Sequence, residues 1–68
     1  MLIKIDHANI VNTDCVTHIY KKGIKTLVII WKESMESEHE HKSVITFRRK
    51  LDRDKAFFNF MEKYNKQL

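Results

Sequence analysis

The sequence predicts an α+β domain, an antiparallel meander sheet of three or four strands with one carboxy-terminal helix packed on one face. Three observations carry this. β-Branched residues and short alternations dominate the chain as far as Phe47, and five apolar residues run without a break from Leu27 to Trp31. Beyond Leu51, the residues Phe57, Phe60, Met61, Tyr64 and Leu68 recur at helical spacing and share a face.

Taken in order, Leu2 to Ile5 alternates as a short edge strand, with Ile3 and Ile5 on one side. Asn9, Asn12, Thr13 and Asp14 supply turn chemistry around the apolar pair Ile10 and Val11. A strand resumes from Cys15 to Tyr20. Lys21, Lys22 and Gly23 read as a hairpin turn, because glycine accepts positive φ without steric cost. The returning strand begins near Ile24 or Lys25 and includes the Leu27–Trp31 run.

Such a run is explained most simply if both faces of the strand are covered. Leu27, Ile29 and Trp31 point one way, and Val28 and Ile30 the other, so a single helix leaves one side unaccounted for. The strand through Ile45 and Phe47 repeats the pattern, with Val44 extending the second side. Val28, Ile30 and Val44 are therefore the expected self-association patch of a homo-oligomer. The competing expectation is that the amino-terminal strand or the Ile10 region folds over them. Residues 33–41 are polar without period and read as a projecting loop. Asp52 is placed to cap the helix, and Phe58 falls about a quarter turn from its apolar face.

The 68 residues form one expected domain, 1–68, and a chain this short has a marginal core. Disulfides, metal or oligomerisation usually supply the missing support. Cys15 is the only cysteine, which excludes an intramolecular disulfide and fits a reducing, cytoplasmic setting. Lys4, Asp6 and His7 interrupt the amino terminus, so neither a signal peptide nor a membrane span is expected there. With no proline and one glycine, linkers and low-complexity segments are not expected.

Thirteen lysines and arginines against nine acids give a net charge of +4 and bias the chain toward anionic partners. Lys21, Lys22 and Lys25 surround the hairpin, while Arg48, Arg49 and Arg53 gather where the last strand meets the helix. These residues, with Phe58, are the expected binding surface for an acidic protein or a small anionic ligand. Two alternatives use the same charges. A nucleic-acid-binding regulator would set them against phosphate, and a sequestering protein for a signalling nucleotide would add Trp31, Tyr20 or Phe58 as a stacking surface at a subunit interface.

His39 and His41 among Glu36, Glu38 and Glu40 offer metal-ligating atoms, but a structural zinc site needs four converging ligands and this loop has no cysteine. No metal and no cofactor is expected. Catalysis is not expected either. Asp14 with His18, or Cys15 with His18, lie three or four residues apart in a strand and do not converge, and Gly23 stands alone rather than in a phosphate loop.

Asn12 to Ile19, the apolar strand to Trp31, then Ile45, Thr46, Phe47 and a closing helix resemble small bacterial, plasmid and phage proteins in which an antiparallel sheet precedes one helix. That resemblance implies a binding or regulatory role, including inhibition of host defence by a phage-borne protein, and carries over no functional residue.

Overall fold

In the computed structural model the chain is described over residues 1–34 and 36–66, with side chains as far as residue 65. The elements run β1 (Leu2–Lys4), β2 (Ile10–Asn12), a 3-10 turn (Thr13–Cys15), β3 (Val16–Lys22), β4 (Thr26–Trp31), β5 (His41–Thr46) and α1 (Lys50–Lys66). β3, β4 and β5 form an antiparallel meander; β1 and β2 form a separate two-stranded ribbon. This is the expected α+β class.

The ribbon was only half anticipated. Asn9 accepts the Ile5 backbone N–H at 2.8 Å and closes the bend after β1, so Ile10 to Asn12 return as a strand rather than remaining in a turn. Asn12 then accepts the Asp14 backbone N–H at 3.1 Å and starts the 3-10 turn, which takes Cys15 out of the expected strand. Thr13 is buried, and its N–H and hydroxyl both donate to the Met1 carbonyl, at 2.9 and 3.2 Å. A buried polar side chain is thereby satisfied and pins the first residue.

Gly23 has φ +62°, the left-handed conformation the hairpin requires, and Lys22 pairs with Thr26 across the turn. Pairing continues through Tyr20 with Val28 and His18 with Ile30, then shifts at a bulge between Val16 and His18. The Thr17 hydroxyl donates to the Ile30 carbonyl at 3.1 Å beside the bulge.

One face of the meander holds the core. Leu27, Ile29 and Ile45 pack there with Val16 of β3, Ile3 and Ile5 of the amino-terminal segment, and Phe60 of α1. Phe57, Met61 and Tyr64 of the predicted helical stripe pack against this cluster. Leu68, also predicted there, lies outside the described residues. Helix and ribbon thus share a single side of the sheet, and the amino-terminal segment does not fold over the other.

Two expectations are corrected at this level. Val28 is 0 % exposed although it faces away from that cluster. As a short side chain in the middle strand, it lies between its register partners Tyr20 and Val44, so its burial does not require a second layer. It is not available as an interface contact; Ile30 is half-buried, and Val44 alone of the expected patch is open, at 57 %. Asp52 does not cap the helix, which begins two residues earlier. Its carboxylate accepts two hydrogen bonds from Arg49, from Nε at 3.1 Å and Nη2 at 3.0 Å.

Candidate functional site

The register assigns three rows to the uncovered face: Lys22, Thr26 and Thr46; Tyr20, Val28 and Val44; His18, Ile30 and Lys42. Strand alternation puts all nine on one side, opposite Leu27, Ile29 and Ile45. None of the nine is acidic. Lys22 and Lys42 stand exposed toward opposite ends, with exposed His18 in the row of Lys42 across Ile30, and Tyr20, 39 % exposed, in the middle row. The Thr26 and Thr46 hydroxyls lie 3.3 Å apart and hydrogen-bond each other. The face therefore has an aromatic and aliphatic centre and a cationic border.

The expected basic surface divides differently in space. Arg53, expected on that surface, is instead 3 % exposed, with its guanidinium turned into the fold. Its Nη1 donates to the carbonyls of Gly23 at 3.3 Å and Thr26 at 3.1 Å, and its Nε donates to Asp54 at 2.8 Å. The guanidinium fork thus clips the β3–β4 hairpin to the helix. Positions 53, 57, 60 and 64 lie on one helical stripe, so periodicity carried the signal that Arg53 faces inward. Lys21 reaches Asp54 at 3.4 Å and lies 5.1 Å from the centre of the Phe57 ring. Arg49 is engaged by Asp52. Lys22, Lys25 and Arg48 are exposed and have no ion pair among the described residues.

Arg48 borders a cleft of about 730 Å³ between the bend after β1 and the start of α1, with Lys4, Asp6, His7 and Asp52 on its walls. Asp6 accepts from the Ala8 N–H at 2.9 Å and from Asn9 Nδ2 at 2.7 Å. Burial pushes its carboxyl up, and these hydrogen bonds more than offset that, leaving it below the ordinary range.

The aromatic residues divide as well. Trp31 stacks on His41 with centroids 4.5 Å apart and donates from Nε1 to Ser43 Oγ at 3.0 Å, so its ring is occupied within the fold. Phe58 is 69 % exposed on the outer side of α1. His41 approaches Glu33 at 3.4 Å, and no group of three or more metal-ligating side chains converges among the described residues. Asp14 lies 3.6 Å from the terminal amino group, while His18 Nδ1 lies 3.4 Å from Thr17 Oγ1. No described helix is long and apolar enough to cross a membrane.

Two arginine-bound carboxylates at the start of α1, Asp54 of the clip and Asp52, make stability pH-dependent. Hydrogen bonding to Arg53 holds Asp54 below the usual carboxylate range, and hydrogen bonding to Arg49 does the same for Asp52. A folded-state value below the unfolded one stabilises the fold above the ordinary carboxylate range, and that contribution is lost as pH falls through the folded value. Thermal melts taken across acid pH are expected to fall on this limb, and Asp54→Asn is expected to flatten it. A parallel limb in the variant contradicts the assignment.

No family model, curated protein or solved structure matches this chain.

Proposed function

We propose that the protein is a non-enzymatic interaction module of the cytoplasm that binds an acidic protein through the open face of its sheet. The observation that carries this is the composition of that face. Nine register positions contain lysines and a histidine, no carboxylate, and an apolar centre at Tyr20, Ile30 and Val44. A central aromatic or aliphatic cluster within a polar border is the usual anatomy of a protein-binding patch. Its single sign of charge selects an acidic surface and disfavours packing against its own copy, because a two-fold interface needs complementary charges on the same patch. One exposed tyrosine and an engaged Trp31 leave less stacking surface than single-stranded nucleic acid uses.

The test is fluorescence anisotropy against a panel of glutamate-rich peptides with interspersed leucines, and a single-stranded oligonucleotide. Lys42→Glu and Val44→Asp each alter an exposed side chain and are expected to weaken peptide binding about tenfold, roughly 1.4 kcal/mol. Peptide binding unchanged in both variants contradicts this reading. Oligonucleotide binding that is tighter and falls steeply with salt decides for nucleic acid instead.

A further inference from the structure

Six of the nine acids are engaged within the fold: Asp6, Asp14, Glu33, Asp52, Asp54 and Glu62. The other three, Glu36, Glu38 and Glu40, stand exposed at alternate positions of the segment that joins β4 to β5, and their carboxylates have no hydrogen bond or ion pair among the described residues. The open face is the converse. Lys22, Lys42 and His18 are exposed on it, neither lysine has an ion pair among the described residues, and no acid lies in its three rows. The lengths agree as well. Extended, the chain from Glu36 to Glu40 reaches about 13 Å, and the rows of Lys42 and Lys22 lie four residues apart along the strands, again about 13 Å.

The segment is folded on itself at the end of the sheet. The Ser37 N–H donates to the Ser34 carbonyl at 3.0 Å, the His39 N–H donates to Ser37 Oγ at 3.2 Å, and His41 holds Glu33 at 3.4 Å. Lys22 lies in the row farthest from it. We infer that residues 36–40 of one copy dock on the open face of another, with their carboxylates against Lys42, His18 and Lys22. The contact joins two different surfaces, so it avoids the like-charge repulsion that disfavours two open faces packing together. Being heterologous, it closes into a ring or goes on adding copies. The inference rests on the reading of the open face as a binder of acidic surfaces, and adds that the chain itself carries one. Ser37 and His39, between the carboxylates, bring no apolar side chain to Tyr20, Ile30 and Val44. Charge therefore leads the contact, and an acidic partner that also fills this apolar centre displaces it.

Equilibrium sedimentation at low ionic strength is expected to give a weight-average mass that rises above one chain at high micromolar concentration. It is expected to return to one chain in about 1 M salt, where charges are screened within roughly 3 Å. Two sets of charge reversals test the pairing: Glu36→Lys, Glu38→Lys and Glu40→Lys together on the segment, and Lys22→Glu with Lys42→Glu on the face. Every one of these side chains is exposed, so the core is untouched. Each variant alone is expected to associate about tenfold or more weakly than the wild type, and an equimolar mixture of the two to recover association. A wild type that stays monomeric at low salt, a segment variant that associates as well as the wild type, or a mixture no better than its components overturns the inference. Resonances of His18 and Lys42 that move on reversal of the segment in a monomer also overturn it, by placing the segment on its own chain's face. Glutamate-rich peptide binding by a protein that never self-associates leaves the open-face reading standing and removes this one. Self-association that is lost in the face variant, in a protein that binds no such peptide, keeps this inference and removes the outside partner.

Discussion

Replacing Arg53 by alanine is expected to lower stability by about 3 kcal/mol, estimated from the cost of removing one partner of a buried charge cluster. The side chain is almost wholly buried and makes three hydrogen bonds, two to hairpin carbonyls and one to Asp54. Its loss leaves the carbonyls of Gly23 and Thr26 without that donor, while Asp54, about a third exposed, regains water. The latter keeps the estimate at the low end of the roughly 3–5 kcal/mol seen for broken buried pairs. A domain of 68 residues has a total stability of roughly 3 to 10 kcal/mol, so the variant sits close to unfolding. Arg53→Lys is expected to recover only part, because an ammonium lacks the planar fork that spans two carbonyls and a carboxylate. Urea unfolding followed by Trp31 fluorescence measures both. A loss below about 0.5 kcal/mol for Arg53→Ala, the range of ordinary surface substitutions, would show that the clip is not structural.

Phe60 and Phe58 provide a second, sharper comparison, since the same deletion is made two residues apart on one helix. Phe60 is 1 % exposed and belongs to the core with Leu27, Ile29 and Ile45. Phe60→Ala is expected to cost about 3–5 kcal/mol through lost burial and the cavity left behind. Phe58 is open to solvent, and Phe58→Ala is expected to change stability by less than about 0.5 kcal/mol. Midpoints of urea unfolding with unchanged slopes would establish the difference as one of native-state packing. Equal losses would mean that the helix is rotated about its axis from the orientation described.

The contrast between these residues also shows which features sequence pattern can reveal. Periodicity placed Phe57, Phe60, Met61 and Tyr64 on the buried side of α1 and set Phe58 apart, because helix geometry fixes a residue's face within a turn. Gly23 marked the hairpin through its backbone freedom. Strand β2 was obscured because three residues are too few to show alternation, and the flanking Asn9 and Asn12 carry turn chemistry of their own. From composition alone, the Leu27–Trp31 run reads as a strand covered on both sides. In the middle strand, Val28 is instead buried where Tyr20 and Val44 flank it on the same face, an effect that depends on register and not on composition.

The candidate site was less legible than the fold. Lys22, Lys25 and Arg48 stayed on the surface as expected, but Arg49 and Lys21 are engaged with Asp52 and Asp54, and Arg53 serves the interior. Counting cations along the chain gives no weight to a carboxylate three residues away or to a carbonyl thirty residues away. His18 and Lys42 were not grouped with the basic residues, although they border the open face. They are far apart in sequence, and only the pairing of β3 with β4 and β4 with β5 brings them together.

The most direct test of the open face as a binding surface is a titration of isotope-labelled protein with a glutamate-rich peptide, followed by side-chain and amide chemical shifts. Shifts are predicted for Tyr20, Ile30, Lys42 and Val44, with Phe58 and the cleft around His7 unmoved. Shifts confined to that cleft or to the outer side of α1, with Tyr20 and Val44 unchanged, would contradict the assignment.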